Sequence, residues 1–290
     1  MPKIAYIEKK FKPQSLETIE RVNDIVDEYE QDGYSLTLRQ VYYQLVARGF
    51  IPNNDRSYKN LGNLINDGRL AGLIDWYAIT DRTRYIRERG HWENPREIVR
   101  ASAQQFYMNH WDDMAHHIEV WVEKDALIDI VEQACRKWDV PCFSCRGYVS
   151  QSEMWSAAMR HKRHEDHGKE TIVLHFGDHD PSGIDMTRDI QERLEMFGAN
   201  TLVRRMALSM EQIEQFNPPP NPAKTTDARY ARYIEQYGYE SWELDALDPS
   251  TLTELITRGI TEYVDMDIWE EVEEKIRSGR DRIVNVAETL

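Results

Sequence analysis

Along the first third of the chain, apolar side chains recur at helical spacing. Between Ser15 and Tyr29 they fall at Leu16, Ile19, Val22, Ile25 and Val26. After a break at Asp32 and Gly33, the segment Thr37 to Arg48 places Leu38, Val41, Tyr42, Leu45 and Val46 at i, i+3, i+4, i+7 and i+8, one face of a second helix. Tyr43 falls off that face, about 100° round the helix from Tyr42. Gly49 ends the helix, and Asn53 and Asn54 make a turn. Ser57 to Leu70 then predicts a third helix, with Leu61, Leu64, Ile65 and Leu70 inward and Lys59, Asn60, Asn63 and Arg69 outward. Trp76 to Ile79 reads as a strand and Thr80 to Arg89 (TDRTRYIRER) as a basic turn. Helix, helix and basic hairpin in this order are those of a winged helix-turn-helix, whose second helix enters the major groove while the wing lies on the backbone.

From Ile118 the pattern changes to short apolar runs alternating with helical stretches. IEVWVEK, PCFSCRG, TIVLHFGD and TLVRRMAL are strand-like, and helices are expected from Asp125 to Trp138, Ser150 to His161 and Ile184 to Phe197. Four such strands with crossover helices predict a parallel, Rossmann-like sheet. The fold class is therefore α/β. The expected division is a winged-helix domain with an N-terminal helix over residues 1–92, a helical connector over 93–117, the sheet domain over 118–248 and an acidic helical extension over 249–290. NPPPNPAKTTDARY, from Asn217 to Tyr230, is proline-rich and reads as extended or loop. The runs LTELITRGI and IWEEVEEKI are amphipathic and suit packing on the sheet domain or on a second subunit.

Chemistry concentrates at two strand ends. The run TIVLHF leads into GDHDPSGID, so Asp178 and Asp180 emerge where an open α/β sheet binds its ligands, with Pro181, Ser182 and Gly183 turning the chain into a helix. IEVWVEK likewise ends in Glu123. Hard oxygen donors grouped in this way suit Mg²⁺, with Mn²⁺ as the second choice. Taken alone, D-x-D at a strand end is as often a turn or helix cap as a ligand pair.

A Glu at the end of one strand followed by D-x-D-P-x-G at the end of a later one resembles the Toprim domain. The wording VEKDAL with GDHDPSGID is similar to the A subunit of topoisomerase VI, a type IIB enzyme, and its relatives, including the meiotic double-strand-break transesterase. The resemblance implies a winged-helix domain ahead of a Toprim domain, with the nucleophilic tyrosine in an R-x-x-Y-Y-like helix. Here that stretch reads TLRQVYYQL, with Arg39, Tyr42 and Tyr43. The family uses the second tyrosine, which makes Tyr43 the nucleophile and Tyr42 an accessory residue; the periodicity separately leaves Tyr43 off the apolar stripe. Arg39, one turn earlier, shares its side and would hold the scissile phosphate or stabilise the phenolate.

By the same resemblance, Glu123, Asp178 and Asp180 hold the metal, Tyr43 forms a 5′-phosphotyrosyl link to double-stranded DNA, and a homodimer assembles each site from two protomers. WELDAL, from Trp242 to Leu247, resembles a late family segment and puts Glu243 and Asp245 at the rim of the site. The chain is shorter than a full topoisomerase A subunit and carries no GHKL-type ATPase, so an ATPase would be a separate subunit. Other residues have only local arguments. Lys59, Arg69, Arg82, Arg84 and Arg87 would meet DNA. Arg146 and Lys224 would reach phosphate near the sheet edge, and Asp185 would join the metal through water or cap its helix. Rival readings are a Toprim hydrolytic nuclease, in which water replaces Tyr43, and a DNA-binding module without catalysis.

Composition modifies this picture in two places. The net charge of −15 argues at first sight against nucleic acid, but residues 1–110 carry 16 basic against 15 acidic side chains and the remaining 180 carry 20 against 36. The acidity lies outside the expected DNA-binding half, and it is local positive charge that meets phosphates. The chain is 41% hydrophobic, as globular proteins are, with no apolar run of about 18 residues and no signal-like N-terminus, so a soluble cytoplasmic protein is expected. Three cysteines give no disulfide framework, and Cys142 and Cys145 read as strand residues. His161, His164 and His167 cluster at the end of the second crossover helix and read as structural.

Overall fold

A computed structural model describes residues 3–80 and 89–290. It opens with three helices, α1 (Pro13–Gln31), α2 (Leu38–Ala47) and α3 (Asp55–Leu70). Each begins where local chemistry directs. Pro13 opens α1, Thr37 and Gln40 form a reciprocal capping box on α2, and the Asn54 side chain accepts the Ser57 N–H at the start of α3. Their apolar faces meet in one core containing Val22, Ile25, Val41, Leu45, Leu61 and Ile65.

Tyr43 belongs to that core too. It is only 4% exposed, as buried as Tyr42, and is not the open side chain that the helical wheel predicts. A wheel assumes one buried face, whereas α2 has a second neighbour, the 3₁₀ turn Leu244–Ala246, and Ala246 joins the same core. Trp76 to Ile79 is not a strand. Ile79 bridges Leu36 at a single residue pair, and without a longer extended partner the ladder goes no further. The basic turn with Arg82, Arg84 and Arg87 lies outside the described residues.

The strands β1 (His116–Val122), β2 (Cys142–Ser144), β3 (Glu170–Phe176) and β4 (Leu202–Ala207) form a parallel sheet in the order β2-β1-β3-β4, with crossover helices α5 (Ile128–Arg136), α6 (Gln151–Asp166) and α7 (Pro181–Met196). Both faces are covered, which is why the strands read as nearly continuous apolar runs. Ile118, Val120, Leu174 and Phe176 pack towards α5 and α10 (Pro249–Thr261), while Trp121 and Val173 pack towards α6 and α7. The chain passes from β1 to β2 on one side and returns to β3 on the other. The crevice beyond the carboxyl ends of β1 and β3 is therefore the topological switch point. Val122 lies beside Phe176 in the register, so Glu123 and the loop Gly177 to Asp180 emerge next to each other.

After β4 come α8 (Met210–Phe216), a two-residue antiparallel pair β5 (Asn221–Pro222) and β6 (Glu240–Ser241) flanking α9 (Tyr230–Tyr237), then α10 and α11 (Met266–Glu288). Helix α10 packs on α5 and β4, and α11 packs on α4 (Pro95–Gln105), so the connector and the C-terminal extension share one layer. Among the described residues no helix is long and apolar enough to cross a membrane.

Candidate functional site

Three carboxylates meet at the switch point because the backbone there is unusually close-packed. Glu123 Oε2 accepts the Asp178 N–H at 2.8 Å. A Cβ on Gly177 or Gly183 would lie 3.0 Å from that same oxygen, and one on Gly183 would lie 2.3 Å from the Asp178 carbonyl oxygen. The glycine of D-x-D-P-x-G is thus required by close approach, not by backbone angle. Asp180 does two things: its Oδ1 accepts the Gly183 N–H at 2.6 Å and the Ser182 hydroxyl at 2.9 Å, capping α7. Helix α7 consequently starts at Pro181, earlier than the Ile184 expected. Arg205, on β4, ties the loop down by donating to the carbonyls of Gly177, Asp178 and Gly183.

A second set of residues joins this loop to α2. His179 and Trp242 exchange backbone hydrogen bonds at 2.8 and 3.0 Å, which brings Glu243 and Asp245 alongside Asp178. Lys124 Nζ then lies 2.9 Å from Asp178 Oδ2, 2.8 Å from Glu243 Oε2 and 2.9 Å from Asp245 Oδ1. From α2, Arg39 pairs with Glu243 through Nη2 and lies 2.5 Å from Asp245 through Nε. The Tyr43 hydroxyl donates to Glu243 Oε2 at 2.8 Å and lies 3.5 Å from Arg39 Nη2. Tyrosine and carboxylates are therefore linked within one chain, through Glu243 and Lys124.

The electrostatics follow from burial. Burial pushes the Asp178 carboxyl up to about 8; Lys124 opposes this, and Glu123 and Asp245 add to it. Glu123 is raised by burial and by Asp180, against the hydrogen bond from Asp178 N–H. Glu243 goes the other way: burial works against ionisation, but the Lys124 ammonium, Arg39 and the Tyr43 hydroxyl hold it at about 2. The Tyr43 phenol is raised above its ordinary range by burial and by the charges of Asp245 and Glu243, with Arg39 opposing.

Compared with family models, curated proteins and solved structures, the chain matches none.

The remaining expected residues are placed as follows. Tyr42 is structural: its hydroxyl donates to Asn53 Oδ1 at 2.9 Å and accepts the Asn54 N–H at 2.8 Å. Lys59 is exposed on α3. Arg69 does not point outward as the wheel predicts; it is half-buried and donates to the Ile79 carbonyl, because the irregular segment after α3 folds back over it. Arg146 is exposed and pairs with Asp125 at 3.0 Å. Lys224 Nζ lies 3.9 Å from Asp180 Oδ2. Asp185 neither caps α7, a role Asp180 fills, nor stands open for a metal, since it accepts from Tyr148, Arg188 and Arg229.

Sequence reasoning left Glu243 and Asp245 at the rim, whereas they sit between the tyrosine and the carboxylates. It missed Lys124 and Arg205 altogether, although Lys124 stands inside the motif wording, next to Glu123. His161 and His164 pack with His117 of β1, and His161 and His117 both approach Glu119, which Arg160 binds through two nitrogens at 2.7 and 2.9 Å.

Carboxylates are the hard oxygen donors a divalent cation takes, though among the described residues no three His, Cys, Asp or Glu side chains are grouped as a ready metal site. Glu123, Asp178, Asp180, Glu243 and Asp245 face Arg39, Lys124 and Arg205 at a largely buried site beside the exposed Lys224, and burial makes Asp178 and Glu123 hold their protons more readily than ordinary carboxyls. Glu123 Oε2 is engaged by the Asp178 N–H and Asp180 Oδ1 by the Gly183 N–H, and the absence of a Cβ at Gly177 and Gly183 leaves room for Glu123 Oε2.

Proposed function

We propose that this chain is a metal-dependent DNA-cleaving transesterase of the topoisomerase VI A type, with α1 to α3 as the core of a winged-helix domain and the parallel sheet as a Toprim domain. The observation that carries the reading is the chain of hydrogen bonds and ion pairs from the Tyr43 hydroxyl through Glu243 and Lys124 to Asp178. A tyrosine and a D-x-D-P-x-G carboxylate loop on separate parts of the fold meet at one place. Glu123, Asp178 and Asp180 would hold Mg²⁺ or Mn²⁺, which supplies positive charge to the scissile phosphate and the leaving 3′ oxygen. Tyr43 would attack phosphorus to leave a 5′-phosphotyrosyl link and a 3′ hydroxyl, while Arg39 would offset charge on the phosphate. Lys59 and the basic segment with Arg82, Arg84 and Arg87 would hold the duplex. A homodimer would set one site against each strand, and any ATPase would be a separate GHKL-type subunit.

One observation favours a second reading. Tyr43 is buried and already donates to Glu243, so water could be the nucleophile at the same carboxylates, as in a Toprim nuclease. Supercoiled plasmid incubated with protein and Mg²⁺ or Mn²⁺, then denatured, separates the two. The transesterase leaves protein covalently attached to DNA, and both Tyr43→Phe and Asp178→Ala abolish the adduct. Cutting without an adduct, unchanged in Tyr43→Phe, selects the nuclease.

A further inference from the structure

As arranged, Tyr43 cannot attack a phosphodiester. Its hydroxyl is tied to Glu243 and its ring is enclosed by α1 to α3 and the turn Leu244–Ala246. The nearest cation, Arg39, faces Glu243 and Asp245 more closely than it faces the phenol. Arg39 is nevertheless within reach of solvent. Its Nε and Asp245 Oδ2 are 2.5 Å apart yet form no aligned hydrogen bond, and its side chain is 41% exposed. Arg39 and Lys124 also line a cleft of about 320 Å³ with Glu123, Asp125, Arg146 and Asp245. An anion entering that cleft meets the same two cations that secure Glu243 and Asp245.

We propose that Arg39, Lys124, Glu243 and Asp245 form a clasp that holds Tyr43 closed, and that a DNA phosphate entering the adjacent cleft opens it by replacing the two carboxylates on Arg39 and Lys124. This rests on the reading of the site as DNA-cleaving. Two phosphate oxygens offer a guanidinium the same paired acceptor geometry as a carboxylate, so Arg39 keeps its charge-assisted hydrogen bonds in the exchange while Glu243 gives up its hold on the phenol. Closure without DNA would keep the nucleophile from reacting elsewhere. Binding and unmasking then become one event, since the ligand favours the open arrangement by its differential contacts.

Nitration by tetranitromethane, mapped to individual tyrosines by peptide mass spectrometry, tests this without metal and hence without cleavage. In the wild-type protein alone Tyr43 is expected to be protected while Tyr77, 75% exposed, reacts. A short duplex DNA, or Glu243→Gln without DNA, is expected to raise modification of Tyr43 at least about fivefold. Buried Tyr233, bonded to His179, is the folding control and stays protected throughout. If Glu243→Gln also exposes Tyr233, Arg39→Gln breaks the clasp from the helix side and replaces it.

A Tyr43 as reactive as Tyr77 in the wild type overturns the clasp, and so does one that stays protected in these variants. Fluorescence anisotropy reports DNA binding separately. DNA that binds without exposing Tyr43 overturns the proposed opening, whereas DNA that does not bind overturns the DNA reading while the variants still judge the clasp.

Discussion

At the scale of single residues, the site depends on absences as much as on side chains. Gly183 has an ordinary backbone conformation, yet any Cβ there meets the Asp178 carbonyl and Glu123 at once. Gly183→Ala is therefore expected to destabilise the protein by about 1–3 kcal/mol, as overpacking does, and to weaken Mg²⁺ binding, because the loop must shift away from Glu123. Urea unfolding and metal titration measure the two effects. Gly90→Ala, with no atom of the described residues within 4 Å of the added carbon, is the control that should change neither. Lys124 shows the opposite case, a charged residue made indispensable by its surroundings. Three carboxylates lie within 2.9 Å of its ammonium, so its ionised form is stabilised despite burial. In the sequence it is one lysine among many, because the Glu243 and Asp245 that define its role lie far away along the chain.

At the scale of elements, Asp180 caps a helix and, in the proposed reading, also belongs to a ligand set, and two substitutions separate these roles. Asn caps a helix about as well as Asp but carries no charge. Asp180→Asn is expected to leave the thermal midpoint nearly unchanged and to weaken Mg²⁺ binding severely. Asp180→Ala is expected to lose both, with about 1 kcal/mol from the missing cap. Should Asp180→Asn bind Mg²⁺ as the wild type does, Asp180 is only a cap. The same element shows what was legible beforehand. D-x-D-P-S-G marked both the end of β3 and a coming helix, but the start was expected at Ile184, since the capping bond of Asp180 to Gly183 N–H was not counted. Helix α2 teaches a related lesson. Its wheel identified one apolar face correctly and could not register that the turn Leu244–Ala246 would cover the other, where Tyr43 lies.

Across the whole molecule, ionisable groups are buried at both ends of the sheet with opposite consequences. Away from the site, Glu119 is 2% exposed and lies below the usual carboxylate range; burial opposes this, but Arg160, His117 and His161 overcome it. A depressed carboxylate contributes stability that is complete above its unfolded value and lost as pH falls towards its folded one. Glu119→Gln should accordingly cost about 1–3 kcal/mol at pH 7. The gap to wild type should narrow below about pH 4, where the unfolded carboxylate takes up its proton. Urea midpoints from pH 7 to pH 3 provide the check, and two parallel curves would remove Glu119 as a source of acid sensitivity. The raised Asp178 and Glu123 have the opposite sign, favouring the folded state less as pH rises, so the comparison is made between variant and wild type and not on either curve alone.

Local pattern determined the helices α1 to α3, the four strands with their crossovers, and the emergence of Glu123, Asp178 and Asp180 at strand ends. These follow from periodicity, capping and turn chemistry, which act over a few residues. Tertiary structure alone decided that Tyr43 is buried, that Glu243 and Asp245 stand between it and the carboxylates, that Lys124 and Arg205 belong to the site, and that Glu119 holds the histidines. Each of these depends on a pairing between distant segments, such as His179 with Trp242 or β1 with α6, and no short-range pattern encodes which distant partner a buried charge will find.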